Sequence, residues 1–101
     1  MNGPHPLGYW SQHLSGSTFA DMAIGQRYEV IRSFIDFDDD VHSPGECWIF
    51  LGAGPFPYDD GHSLFVSLDG QREWQIRLQW RPEEQAEILE MWHSYVACIG
   101  E

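Results

Sequence analysis

The sequence predicts a small, mainly β domain of the α+β class: a twisted antiparallel sheet of four to five strands with one C-terminal helix packed on it. Three observations lead there. The 101 residues are 43% hydrophobic and 15% aromatic, enough for one core but too few for two domains. Short runs of β-branched and aromatic residues are separated by Gly-, Pro- or Asp-rich punctuation. A single amphipathic stripe at helical spacing follows them near the end of the chain.

The elements follow in order. Residues 1–17 are rich in Gly, Pro, Ser and His without periodicity and read as a flexible N-terminal arm, leaving 18–101 as one globular domain. Phe19, Met22 and Ala23 fall at helical spacing behind the candidate caps Ser17 and Thr18, and Gly25 ends that turn. Arg27 to Ile35 is β-branched and aromatic, a first strand; an acidic loop follows it. Cys47 to Leu51 is a continuous apolar run, consistent with a second strand covered on both faces. Gly52 to Gly61, with its Gly and Pro residues, is expected as a loop, and Ser63 to Leu68 as a third strand. Asp69-Gly70 suits a type I′ hairpin turn, which needs positive φ at both central residues.

The fourth strand, Glu73 to Trp80, alternates. Trp74, Ile76, Leu78 and Trp80 are expected in the core, with Gln75, Arg77 and Gln79 on the wet face and Arg77 placed to pair with an acid. Pro82 suits the first position of a helix, and Glu83 and Glu84 complement its dipole. Ile88, Leu89, Trp92, Tyr95, Val96 and Ile99 then form the stripe that the sheet should bury, with Gly100 as terminator. An SH3-like partial barrel accommodates these pieces best. An open antiparallel sheet with the helix on one face is the alternative.

Charge limits the function classes. Sixteen Asp and Glu face five basic residues, all Arg, for a formal net charge of −11. A polyanion repels phosphates and anionic headgroups, so nucleic acid and membrane are poor partners, whereas a basic protein surface or a cation is allowed. Solubility through net charge is the simpler explanation of the same number. Cys47 and Cys98 form no disulfide or zinc framework and, among apolar neighbours, are expected as buried, inert thiols. With no apolar run of membrane-spanning length and no basic start before a hydrophobic stretch, a soluble cytoplasmic protein is the expectation. Composition is silent on oligomeric state.

The densest chemistry lies in DFDDDVHSPGE, Asp36 to Glu46. Asp36, Asp38 and Asp40 match the first, third and fifth positions of an EF-hand loop. Val41 then replaces the turn glycine and Cys47 replaces the bidentate Glu, so the EF-hand reading fails. A different divalent-cation site on Asp36, Asp38, Asp40, His42 and Glu46 is the alternative. Charge crowding does not demand it, because two carboxylates ~6 Å apart in water repel by only ~0.7 kcal/mol. His42 with Asp59, Asp60 and His62 would form a cluster only if two loops meet; a turn at Asp59-Asp60-Gly61 is the simpler reading.

Catalysis has less support. Cys47 and His42 pair in sequence only, and a buried thiol lacks the electropositive setting that activates it. Glu90 and His93 have the spacing of a surface pair. Binding is better served. Phe56 and Tyr58 sit beside Asp59 and Asp60 as apolar anchors next to charge, the usual anatomy of an interface, with folding back as a lid on the barrel end as the competing reading. The expected function is therefore a non-enzymatic, cofactor-free acidic protein-interaction domain. It would bind a basic partner surface through Asp36, Asp38, Asp39, Asp40, Glu46, Phe56, Tyr58, Asp59 and Asp60. An inhibitor or immunity-type protein covering a basic active site is one concrete form. The competing class is a cation-binding domain or metal-assisted enzyme built on the acidic stretch.

Two resemblances accompany this reading. The series Gly25-x-x-Tyr28-x-Val30, Phe34-x-Asp36-x-Asp38, His42-x-x-Gly45-Glu46-x-Trp48-x-Phe50-Leu51-Gly52, Pro57-Tyr58-Asp59-Asp60-Gly61, Ser63-Leu64-Phe65-Val66 and Trp74-x-Ile76-Arg77-Leu78-Gln79-Trp80 resembles a bacterial family known only as a domain of unknown function. It covers about residues 22–90 and implies a stand-alone bacterial domain without supplying an activity. Phe34-Ile35-Asp36-Phe37, the acidic run, and Gly45-Glu46 before Trp48 are also similar in arrangement to SH3 domains. There such a loop pairs with Arg or Lys of proline-rich ligands. The later aromatics here follow a different order.

Overall fold

In the computed structural model, which describes residues 1–13, 22–56, 61–79 and 86–100, strand pairing decides the architecture. The strands are β1 (Asn2–Pro6), β2 (Arg27–Val30), β3 (Phe34–Ile35), β4 (Val41–His42), β5 (Cys47–Phe56), β6 (Gly61–Ser67), β7 (Arg72–Gln79) and β8 (Val96–Gly100). Two short helices, α1 (Ala86–Glu90) and α2 (Trp92–Tyr95), precede β8. Six strands form one antiparallel sheet in the order β1-β7-β6-β5-β2-β8, and β3 and β4 form a separate two-stranded ribbon. The sheet is open, with β1 and β8 as its terminal strands, so the expected partial barrel gives way to the open-sheet alternative. It also has more strands than the four to five expected.

The core lies on one sheet face. Val30, Trp48, Phe50, Leu64, Val66, Ile76 and Leu78 are fully buried there, and Leu89, Trp92 and Tyr95 of the helices pack against them with Met22 and Phe34. Burying each such large side chain stabilises by about 1.5–3 kcal/mol relative to exposure. The alternation expected for the fourth strand is present: Ile76 and Leu78 face the core, while Gln75 and Arg77 take the opposite face. Trp80 and residues 82–84 lie outside the described residues.

The strand expected over residues 27–35 breaks after Val30, so that Phe34–Ile35 join the separate ribbon. Three elements of the six-stranded sheet also differ from expectation. The arm is not loose over its first part: Asn2–Pro6 pair antiparallel with β7. Gly3, at φ +126°, lies so close to β7 that a Cβ would come within 2.8 Å of the Glu73 carbonyl. The segment is then clamped by the buried Glu73 carboxylate. It accepts the Gly8, Trp10 and Ser11 N–H groups at 2.8, 2.6 and 3.1 Å, and the Ser11 hydroxyl as well. Burial would raise the Glu73 carboxyl, but these bonds outweigh it and hold the group below its ordinary range. Trp10 covers Phe65 on the sheet's second face, ring centroids 5.3 Å apart.

The second difference is at Gly52–Gly61. β5 runs through the Gly-Pro segment to Phe56 and pairs with β6, after a register shift between Phe50 and Gly52. The third is at the C-terminus. The helical stripe stops at Tyr95, and Val96–Gly100 pair with β2, which leaves Ile99 exposed. Cys98 on that strand is exposed and Cys47 half-buried, so neither is the sealed thiol expected.

A candidate binding site at the acidic hairpin

The acidic stretch is a hairpin, not a loop. Phe34 pairs with His42 and Ile35 with Val41. The two-residue strand period then sends Phe34 and His42 inward and Ile35 and Val41 outward. At the tip, the Asp36 N–H bonds the Asp40 carbonyl at 3.0 Å and the Asp39 N–H bonds the Asp36 carbonyl at 3.1 Å. Asp36 Oδ1 accepts the Asp38 and Asp40 N–H groups at 2.9 and 3.0 Å. Side-chain capping of this kind is why Asp recurs in turns. Asp39 takes the left-handed conformation at φ 65°, which Asp tolerates better than most residues.

Beneath the tip lies a buried charged chain. His42 Nε2 is 2.8 Å from Asp36 Oδ2, and its Nδ1 is 2.6 Å from Glu46 Oε2. The Trp48 indole N–H donates to the same Glu46 oxygen at 3.1 Å. The turn Ser43–Glu46 sets this up: Glu46 N–H bonds the Ser43 carbonyl, and Gly45 supplies φ +101°. Val30 N–H bonds the Glu46 carbonyl at 2.8 Å, tying that turn to β2. The Phe34 ring stacks on the imidazole at 4.7 Å. Burial favours the neutral imidazole, but the bonds and charges of Asp36 and Glu46 outweigh it and push the His42 pKa up to about 9. Burial likewise opposes the Asp36 charge. The His42 bond, the Met1 amino group and the Asp38 N–H nonetheless hold Asp36 below its ordinary value.

Other carboxylates of the hairpin are also engaged. Asp38 takes a two-pronged bond from Arg77, at 3.0 Å from Nε and with Nη2 on the other oxygen, and a bond from Asn2 at 3.2 Å. Arg77 thus pairs with an acid as its position in the strand suggested. The Phe37 ring covers the Arg77 guanidinium at 5.3 Å, and its N–H bonds the Arg77 carbonyl at 2.8 Å. The Met1 amino group lies 3.4 Å from Asp36 and beside Asp40.

The candidate residues therefore divide. Asp36, Asp38 and Glu46 work inside the protein, whereas Asp39 and Asp40 are exposed at the tip, Asp40 also pairing with the Met1 amino group. Beside them stand three apolar side chains not singled out from sequence: Ile35, Phe37 and Val41, 50%, 37% and 59% exposed. Strict alternation from buried Phe34 and His42 was the signal that could have found the first and last. Phe56 ends β5, while its side chain, Tyr58, Asp59 and Asp60 lie outside the described residues. For the cation alternative, the five candidate ligands bond one another and their neighbours. Both imidazole nitrogens of His42 face carboxylate oxygens, so a metal would have to displace one of those bonds and its proton to reach a ring lone pair. Among the described residues, no group of three or more His, Cys, Asp or Glu is arranged to hold a metal ion. Nor is any described helix long and apolar enough to cross a membrane.

Comparison with known proteins adds a family and a structural neighbour. The family model described as "Domain of unknown function (DUF3601)" matches residues 18–101. An integron cassette protein from the mobile metagenome of Vibrio cholerae has a solved structure that is 37% identical in sequence. It superposes with a TM-score of 0.80 over 88% of this chain and 97% of that one. No curated protein matches the sequence.

Proposed function

The chain belongs to DUF3601, a family of domains of unknown function, and from that premise we propose that it is a non-enzymatic, acidic protein-interaction domain whose partner is a basic protein surface. The observation that carries the reading is the division of labour in the hairpin. The inward carboxylates hold the ribbon in one shape, and Asp39 and Asp40 project from it beside exposed apolar side chains. A net charge of −11 adds a long-range field that speeds encounter with a cation-rich surface. An inhibitor or immunity role, in which the hairpin covers a basic cleft, is the concrete form this takes. Phe56, Tyr58, Asp59 and Asp60 are the further contacts in this reading, and the β-rich scaffold serves in the manner of SH3-like modules. The site of action is the cytoplasm of a bacterial cell.

Affinity capture at low salt tests this. The specific partner should be a basic protein, released by moderate salt and bound more slowly by Asp39→Asn/Asp40→Asn. A specific partner that is acidic, or whose association rate ignores salt and these substitutions, overturns the proposal. The competing cation-dependent reading is tested by thermal unfolding in chelator and then in excess Ca²⁺, Mg²⁺, Mn²⁺ or Zn²⁺. A specific ion at 100 times its Kd would raise stability by about 2.7 kcal/mol.

A further inference from the structure

The outer face of the β3–β4 ribbon carries a directly opposed aliphatic pair, Ile35 and Val41, each at least half exposed. The ribbon does not need that pair to fold. Its inner face is already fixed by the Phe34–His42 stack, the Asp36–His42–Glu46 chain and the Asp38–Arg77 pair. Two β-branched side chains facing water across a ribbon are a small apolar ridge, followed at the tip by Asp39 and Asp40 and by the part-exposed Phe37 ring that covers Arg77. The backbone beneath is held by hydrogen bonds on both sides, so docking it would order little. Apolar centre and charged rim together are the pattern of an interface hot spot.

We infer that this ridge is the contact surface itself, and that it fits a partner with an apolar cleft rimmed by Arg or Lys. The inference rests on the proposed reading as an acidic interaction domain and names what the partner must look like. Charge decides between occupants. A second copy would bring another −11 charge and a second set of tip aspartates against the first, whereas a cationic rim meets them with opposite sign.

Two synthetic peptides of equal positive charge, one alternating Leu and Lys and the other Gly and Lys, separate the apolar from the electrostatic part. Calorimetry with each, and chemical-shift mapping on the full chain, are run for the wild type, Ile35→Thr/Val41→Thr and Asp39→Asn/Asp40→Asn. Thr keeps the β-branch, so the ribbon should survive, and an unchanged His42 ring N–H signal verifies that. The wild type should prefer the Leu-Lys peptide, with shifts centred on Ile35, Phe37 and Val41. The Thr pair should weaken that peptide by about tenfold and leave the Gly-Lys peptide unaffected. The Asn pair should weaken both. If the Thr pair binds the Leu-Lys peptide as the wild type does, the ridge is not the contact surface, although the acidic reading stands. If neither peptide binds the wild type at low salt, the acidic reading fails too. If the ridge signals move with protein concentration alone, its occupant is a second copy, and the cationic partner is overturned.

Discussion

Asp36 and His42 close a buried ion pair at 2.8 Å, with their side chains 0% and 1% exposed, across the base of the acidic hairpin. One cation is thereby held between two carboxylates, since Glu46 takes the other imidazole nitrogen. Among the described residues, no buried side-chain polar atom lacks a hydrogen-bond partner. Under those conditions a buried pair sets conformation more than it adds net stability, and its removal is costly because the remaining charge is stranded.

Asp36→Ala strands the imidazolium and frees two backbone N–H groups at the tip. The expected loss is about 3 kcal/mol, at the lower end for a broken buried pair because Glu46 remains. Asp36→Asn keeps an acceptor for those N–H groups and should lose less. Urea midpoints should fall in the order wild type, Asn, Ala. A loss under about 1 kcal/mol for Ala would mean that the pair does not hold the hairpin.

Stability should peak in mildly acidic solution. His42 is raised from its ordinary 6.5 to about 9, so its contribution is complete below pH 6.5 and is lost as pH rises through about 9. That interval corresponds to ~3 kcal/mol. Asp36 and Glu73 are lowered, so their contributions are present above their ordinary values of 3.8 and 4.5 and are lost only as pH falls through the depressed ones. Urea unfolding at pH 6 and pH 9.5 checks the sign. His42→Gln should flatten the alkaline limb, and a native protein more stable at pH 9.5 than at pH 6 would contradict the assignment.

Glu73→Gln replaces one acceptor oxygen by an amide NH₂ among four donors. It should destabilise by about 2 kcal/mol, the scale of a buried unsatisfied group. The effect should concentrate at one place: hydrogen exchange of the Gly8, Trp10 and Ser11 amides speeds up, while β5 and β6 amides change only with global stability.

Arg77→Lys retains the charge but not the planar fork that grips Asp38 and lies under Phe37. A loss of about 1 kcal/mol is expected for Lys and slightly more for Ala, modest because the pair is partly solvated. Hydrogen exchange at Phe37 and Asp38 should report it. Equal protection there in Lys and wild type would show that charge alone suffices.

Much of the sheet could be read from residues. The β6–β7 hairpin is signalled by Asp69-Gly70 and by the alternation through Ile76 and Leu78, because a half-buried strand writes its period directly. The turn itself is not the expected type I′, since only Gly70 of the two has positive φ, and Asp69 Oδ1 instead accepts the Gln71 and Arg72 N–H groups. The exceptions have physical causes. Val96 and Ile99 continue a helical stripe, yet β2 offers an unpaired edge beside them, and local periodicity carries no information about a distant edge. Pro55 argued for a loop, but β5 absorbs its Gly-Pro segment after an irregular pairing at Gly52. Asn2 to Pro6 has no apolar period, since pairing with β7 and the bonds of Asn2 to Asp38 and Gln75 hold that segment, with Glu73 anchoring Gly8 to Ser11 just after it. At the hairpin, the acidic residues were visible but their division was not. Which aspartate turns inward is decided in the turn between Ile35 and Val41, where strand alternation no longer applies.

The strand order also governs when the protein can form. The sheet's terminal pairings join residues 2–6 to 72–75 and 27–30 to 96–100, so each outer seam stitches the first third of the chain to the last. No early fragment contains a complete sheet. Loop-closure entropy must be overcome before these contacts can repay it, which places folding among slow, high-contact-order topologies. During synthesis, β2 must wait with one side bare until residue 100 clears the ribosome. In that interval an acidic, self-repelling nascent chain is protected from sticking to its neighbours, a use for charge that needs no partner.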